Sequence, residues 1–137
     1  MTRYLSMSVT FLDPLFHGRG DGDVPEWPPS PMRLFQAILA GSRVGCHNRE
    51  WSGKHAAAFR WLERRKPPVI VAPPARIAPG VTLYVPNNDA DKKFDRQNRL
   101  TSKVARPHRL CGGDTLHYLW SIEQVDWASG RPHAELL

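Results

Sequence analysis

Lysine and arginine side chains are concentrated between residues 92 and 109. The cations in this stretch are Lys92, Lys93, Arg96, Arg99, Lys103, Arg106 and Arg109, which stand against Asp91 and Asp95. Clusters of this kind neutralise phosphates and release bound counterions, so the resulting affinity depends on salt. Such contacts mostly hold a nucleic-acid backbone without reading its sequence. The pattern predicts either a phosphate-binding segment or a charged, solvated loop that binds nothing.

Aromatic side chains suggest how unpaired bases would be held, because RNA is commonly bound by stacking of its bases on a small sheet. The candidates for such stacking are Trp27, Tyr84, Phe94, Tyr118 and Trp120. Residues 117–120 alternate as in a strand, so either the aromatic pair or its neighbours face the core. The core is the preferred place for Trp120. Trp27, beside two prolines, is the preferred surface residue.

Two histidines have surroundings that suit proton transfer. His17 is followed by the segment Gly18–Gly20, which contains Arg19, and His108 lies within the basic stretch. Histidine changes its protonation near neutral pH and is a natural general base there. A neighbouring cation can stabilise negative charge that develops on a phosphate. His17 and His108 are therefore weak candidates for catalytic residues, and the residues alone do not decide whether either is used.

The patterns that would indicate a metal or a nucleotide cofactor are weak. Cys46–His47 and the pair His108 and Cys111 are far apart in sequence and lack the paired cysteine spacing of a zinc site. The segment Asp21–Asp23 is too short for a calcium loop of the EF-hand type. The glycines of the first loop do not have the spacing of a dinucleotide-binding fingerprint. We therefore expect no metal and no cofactor.

Composition limits the class of protein. The chain has 137 residues, which is enough for one domain to bury a core. Lys and Arg outnumber Asp and Glu by 19 to 13, and this excess suits a polyanionic partner. Two cysteines and no signal-peptide pattern favour a reducing compartment over a disulfide scaffold. No apolar run approaches the ~20 residues of a membrane span, so we expect a cytoplasmic protein without a membrane partner.

Hydrophobic periodicity predicts the first elements that position these residues. Residues 4–12 alternate between apolar and polar, which indicates a half-buried strand. Ser30 and Pro31 mark a helix start, because serine caps a first turn and proline fits its first position. The apolar stripe behind them extends this helix to about residue 43. A second helix is predicted over residues 54–66.

The remaining predicted elements are shorter. The apolar run at 69–72 predicts a buried strand, and further strands are expected at 81–85 and 116–122. Residues 87–110 are predicted to form a long basic loop, which at this length is either functional or disordered. This order predicts an α+β fold with helices on one face of a small antiparallel sheet, in a single domain over residues 1–137.

The most specific stretch is residues 24–41, where Glu26-Trp27 precedes two prolines and the capped helix. Arg33 lies in the first helical turn, where the helix N-terminus and the guanidinium both suit an anion; the alternative is that Arg33 pairs with Glu26 or points to solvent. The pattern E-W-P-P-S-P-x-R-L resembles the N-terminal, Cas-five-like part of a CRISPR Cascade subunit of type I-U (I-G). In that family, which belongs to the RAMP superfamily, a Cas-five module is fused to a Cas-six module.

Three weaker blocks extend the resemblance over most of the chain, namely Phe11 with Phe16–His17, residues 85–89 and residues 116–120. The resemblance implies a ferredoxin-like (RRM-type) antiparallel sheet, here incomplete or a fragment of a longer architecture. It implies an RNA-binding protein of antiviral defence that grips the five-prime handle of CRISPR RNA. The implied partners are this RNA and the other backbone and large subunits of Cascade.

The resemblance also implies roles for individual residues. The implied RNA-binding residues are Trp27, Arg33, Lys92, Lys93, Arg96, Arg99, Lys103, Arg106 and Arg109. Trp27 would either hold the loop ahead of the helix or stack on a flipped base. Metal-independent endoribonuclease cleavage, through attack of a ribose 2′-hydroxyl, is expected of the Cas-six-like half, so binding is preferred for this chain. Processing of the repeat transcript is the alternative, and a domain that contacts only protein is a third.

Overall fold

The structure is a computed structural model that describes residues 3–43, 51–86, 100–135 and 137. Within these ranges the chain forms antiparallel strands and three α-helices, which confirms the predicted α+β class. The strands are β1 (Arg3–Thr10), β2 (Leu15–Phe16), β3 (Val69–Val71), β4 (Ala75–Ile77), β5 (Val81–Pro86), β6 (Leu100–Ala105), β7 (His108–Leu110) and β8 (Thr115–Ile122). The helices are α1 (Pro31–Arg43), α2 (Gly53–Glu63) and α3 (Gln124–Ala134). None of the described helices is long and apolar enough to cross a membrane.

The chain divides into two compact units, each built from separated segments. The first unit comprises Met1–Phe11, Pro28–Pro73 and Thr115–Leu137, and the second comprises Leu12–Trp27 and Pro74–Asp114. The two segments of the second unit therefore interrupt the first unit at two places in the sequence. The assignment of residues 1–137 to one domain stays a prediction.

The first unit contains a sheet of order β1-β8-β3. Helices α1 and α2 follow β1, and α3 follows β8, an arrangement consistent with a ferredoxin-like fold. The register pairs Met7 and Ile70 with Tyr118 of the central strand. Alternate residues of β8 are buried, as the period of two predicts, together with side chains of α2. These core residues are Leu116, Tyr118, Trp120, Ile122, Ala58, Phe59 and Leu62.

Helix α1 begins as the sequence predicts. The hydroxyl of Ser30 accepts a hydrogen bond from the Arg33 amide at 3.4 Å, which caps the first turn. Ahead of the cap, the buried hydroxyl of Tyr118 donates to the Pro29 carbonyl at 2.8 Å. This bond ties the proline-rich segment to the central strand. Trp120 is buried as predicted, whereas Tyr118, a candidate for base stacking, is only 1% exposed and cannot stack on a ligand.

Other sequence predictions require correction. The strand at residues 69–71 is not buried throughout, because Val69 and Val71 point away from the core and are 63% and 51% exposed. The segment predicted as one long loop contains β6 and β7 in its second half, and residues 87–99 lie outside the described ranges. The short strands β2 and β4 and the helix α3 were not predicted.

Candidate nucleic-acid interface

The second unit holds the described part of the basic stretch. Lys103 lies on β6, Arg109 lies on β7, and Arg106 lies between the two strands; all three side chains are exposed. Strand β6 pairs with β5, and β7 lies between β2 and β4 in a sheet of its own. Paired strands therefore position Lys103 and Arg109, and the short connection between them carries Arg106. The other predicted cations of the stretch, together with Phe94, lie outside the described residues; these cations are Lys92, Lys93, Arg96 and Arg99.

Arg33 lies in the first unit, so the structure assigns the predicted cations to two units. The residue is exposed in the first turn of α1, where its amide is already bonded to Ser30. The first turn of α1 contains no acidic side chain that would repel an anion, which is compatible with phosphate binding by Arg33. Its proposed role in holding a phosphate stays a prediction.

Tyr84 and Lys103 do not share a surface. The register of the β5–β6 ribbon places Lys103 opposite Leu83 and Tyr84 opposite Ser102. Since successive residues of a strand point to opposite faces, the Tyr84 ring lies on the face away from the Lys103 ammonium. Tyr84 is 69% exposed, so it is accessible for stacking, but not on a nucleotide whose phosphate sits on Lys103.

Trp27 belongs to an aromatic cluster in the second unit. Its ring meets the edge of Phe16 with centroids 5.8 Å apart, and lies tilted against His108 at 6.3 Å. The cluster leaves no space beside Phe16, because a Cβ on Gly18 would lie 2.3 Å from the Phe16 ring. Trp27 is half-buried in this position. These contacts hold Trp27 within the second unit, and both of its predicted roles stay predictions.

The two candidate catalytic histidines lie at the same end of the β2–β7 ladder. Phe16 pairs with His108, and His17 follows directly after Phe16. His17 is exposed, whereas Nδ1 of His108 is buried and has no hydrogen-bond partner among the described residues. No hydrogen bond joins the two rings in the part of the chain that the structure describes, so they do not form an assembled acid–base pair.

The loop after β2 forms a small hairpin that carries a cation which sequence reasoning did not weigh for binding. The Gly20 amide donates to the Val24 carbonyl at 2.8 Å, and the Glu26 amide donates to Gly18 at 3.0 Å. Arg19 forms an ion pair with Asp23 and donates to the Val104 carbonyl of β6. Its charge is thus compensated, and its main effect is to tie the hairpin to the ribbon that carries Lys103.

A further arginine was missed by the sequence analysis. The register of β4 and β7 places Arg76 directly opposite Arg109, and both side chains are exposed. Like charges directly opposite each other destabilise a strand pair. The only signal in the sequence was the run Ala75–Ile77 between prolines, and three residues are too few to show a period of two.

Metal ligation finds no support in the described ranges. Their histidine, cysteine and acidic side chains form no group of three or more that could hold an ion. Cys111 is described and has a free thiol, whereas Cys46 and His47 lie outside the described residues. What the described part of the second unit offers a ligand is therefore exposed cations, which can bind phosphates.

A known protein family matches most of the chain. The chain matches the family described as "CRISPR-associated protein, GSU0054 family" over residues 4–129, a range that includes segments of both units. No curated protein matches it, and no solved structure matches it. The family match covers far more than half of the 137 residues. The chain therefore belongs to the GSU0054 family of CRISPR-associated proteins, and its role lies in CRISPR defence.

Proposed function

We propose that this chain is the Cas-five-like, RNA-binding part of a type I-U (I-G) Cascade subunit, which grips the repeat-derived five-prime handle of CRISPR RNA. The observation that carries the proposal is the presence of Lys103, Arg106 and Arg109 as exposed cations on or beside paired strands, in a chain of a CRISPR-associated family. Its partners would be CRISPR RNA and the other backbone and large subunits of Cascade, in the cytoplasm.

The proposed mechanism is electrostatic positioning of a single-stranded backbone. Each exposed cation neutralises one phosphate and releases its counterions, which supplies affinity but no sequence preference. Leu83, directly opposite Lys103 and 45% exposed, offers an apolar surface on the same face of the ribbon. That surface suits the ribose or the base next to a phosphate held by Lys103. The cations of residues 92–99 would bind further phosphates of the same RNA.

A salt-titrated gel shift with CRISPR repeat RNA in EDTA tests the proposal. We expect a bound, uncleaved RNA whose association constant falls linearly with salt on logarithmic axes. A scrambled RNA of the same length is the matched control, and tighter binding of the authentic repeat would show that the handle is recognised. Absence of binding to either RNA at low salt would contradict the proposal. Complexes of this chain with other proteins that survive nuclease treatment would instead indicate a domain that contacts only protein.

One observation favours a second candidate function, a metal-independent endoribonuclease that processes the repeat transcript. The buried Nδ1 of His108 has no hydrogen-bond partner among the described residues, and His17 lies at the same end of the ladder. His17 is exposed and can meet a ribose hydroxyl, whereas the Nδ1 atom of His108 is buried and cannot reach one directly. In this case the same assay yields a 2′,3′-cyclic phosphate in EDTA, and His17→Ala abolishes its formation. Binding without any cleavage product would rule this function out for the chain.

A further inference from the structure

Two arginines face each other on the sheet of the second unit that contains β2, β7 and β4. Arg109 lies on the central strand β7, and the antiparallel register places Arg76 of β4 directly beside it. Directly opposed residues of antiparallel strands project from the same face of the sheet, with Cβ atoms about 4.5–5.5 Å apart. The two guanidinium groups therefore start from neighbouring points on one surface and can reach a common ligand.

Neither arginine of this pair is neutralised by a described residue. Other arginines of the chain have acidic partners four residues away, Arg19 with Asp23 and Arg131 with Glu135. Asp13 lines the same groove and is a negative charge near the pair, but its Oδ1 accepts a hydrogen bond from the Leu15 amide at 2.7 Å and it forms no ion pair with either arginine. Within the described ranges no carboxylate forms an ion pair with Arg76 or Arg109. The described carboxylates thus leave two adjacent, exposed positive charges unpaired.

The pair lies in an open groove of about 1000 Å³. Much of its wall is apolar and stiff, because three prolines line it, Pro14, Pro79 and Pro107. Apolar walls lower the local dielectric and concentrate the field of the charges between them. A groove of this kind raises the local concentration of anions, whereas two arginines on a flat, fully hydrated surface would be screened more strongly.

We propose that Arg76 and Arg109 together bind one phosphate group. Each guanidinium presents a planar fork of N–H donors that matches phosphate oxygens, and a shared anion relieves the repulsion between the two cations. If the proposed function holds, this phosphate is a phosphodiester of the bound RNA, and the site rests on that function. Arg76 then joins the RNA-binding residues, from a segment outside the basic stretch.

The test compares Arg76→Gln, Arg109→Gln and the double variant with the wild-type chain. Arg60→Gln, which removes another exposed positive charge, from α2, is the matched control. The first measurement is thermal unfolding with millimolar sodium pyrophosphate, against sodium chloride of equal ionic strength. The second is the salt dependence of binding to single-stranded repeat RNA.

We expect pyrophosphate to raise the Tm of the wild type and of Arg60→Gln, but not of the variants at the pair. Because the two arginines share one phosphate, the double variant should lose about 0.7 from the salt slope, or about fivefold in affinity at 0.1 M salt, and each single variant should lose no more than that. Without ligand, the variants at the pair should be at least as stable as the wild type, since a repulsion is removed.

Three outcomes would overturn the inference. The first is a wild-type salt slope in the double variant, and the second is a loss of about 1.4 in the double variant, which indicates two independent contacts. If no RNA binds at all, the proposed function fails and the pyrophosphate measurement alone decides. A Tm increase by pyrophosphate that requires both arginines would then still support the phosphate site. An equal Tm shift in all variants would show that the two arginines do not form it.

Discussion

Removal of three exposed cations should flatten the salt dependence of RNA binding. Lys103, Arg106 and Arg109 form no ion pair within the described ranges, so alanine at these positions breaks no described contact of that kind. If each side chain neutralises one phosphate of a single strand, the slope of log K against log salt falls by ~0.7 per residue, or about 2 for the triple variant. At 0.1 M salt this is a loss of affinity on the order of a hundredfold, which corresponds to roughly 3 kcal/mol.

The assay is fluorescence anisotropy of labelled repeat RNA at several salt concentrations. The control is a triple variant with alanine for Lys54 and Arg60 of α2 and for Arg64 at its C-cap, which removes the same net charge from the first unit. We expect the control to keep the wild-type slope. An unchanged slope in the variant with alanine at Lys103, Arg106 and Arg109 would show that β6 and β7 are not part of the RNA interface. An equal loss in both variants would mean that net charge, and not position, determines binding.

Two further predictions concern the framework that holds the interface. Tyr118→Phe leaves the Pro29 carbonyl without its 2.8 Å hydrogen bond in a buried place. It should cost about 1–3 kcal/mol in urea unfolding, and an unchanged midpoint would show that the bond is dispensable. Gly18→Ala places a Cβ 2.3 Å from the Phe16 ring, so it should lower the Tm and change the near-UV circular dichroism. Gly20→Ala, whose Cβ finds no atom closer than 3.8 Å, should change neither; equal effects of the two would refute the steric argument.

The long elements of the fold could be predicted because their patterns are local. Strands β1 and β8 each span eight residues, enough for several alternations between apolar and polar side chains. Helix α1 carries its start signal in Ser30 and Pro31, and the structure places the helix from Pro31. In these elements the burial pattern follows directly from residue type.

The elements that were missed depend on partners distant in sequence. Strand β6 belongs to a two-stranded ribbon in which almost every residue is exposed, so it has no apolar period and reads as a loop. Helix α3 contains Gly130 and Pro132, which normally argue against a helix. The glycine is required by packing, because a Cβ there would lie 2.6 Å from the Trp61 ring. Tertiary contact overrides propensity at this position.

The candidate site was only partly accessible to sequence reasoning for the same reason. A run of cations is visible in one dimension, and it led to Lys103, Arg106 and Arg109. The neighbour of Arg109 is Arg76, and this proximity exists only because β4 pairs with β7 in one particular register. No local pattern encodes that register, since β4 and β7 are three residues long each.

The sheet order of the first unit has a consequence for synthesis on the ribosome. Strands β1 and β3 pair with β8 and not with each other, so the central strand is the last of the three to be translated. The hydroxyl of Ser8 can form its hydrogen bond with the His117 ring only after a further 109 residues have been translated. Both segments of the second unit emerge before β8 does, because the later segment ends at Asp114. The nascent chain therefore carries two unpaired strands until β8 emerges, a period in which the exposed edges invite association with other chains.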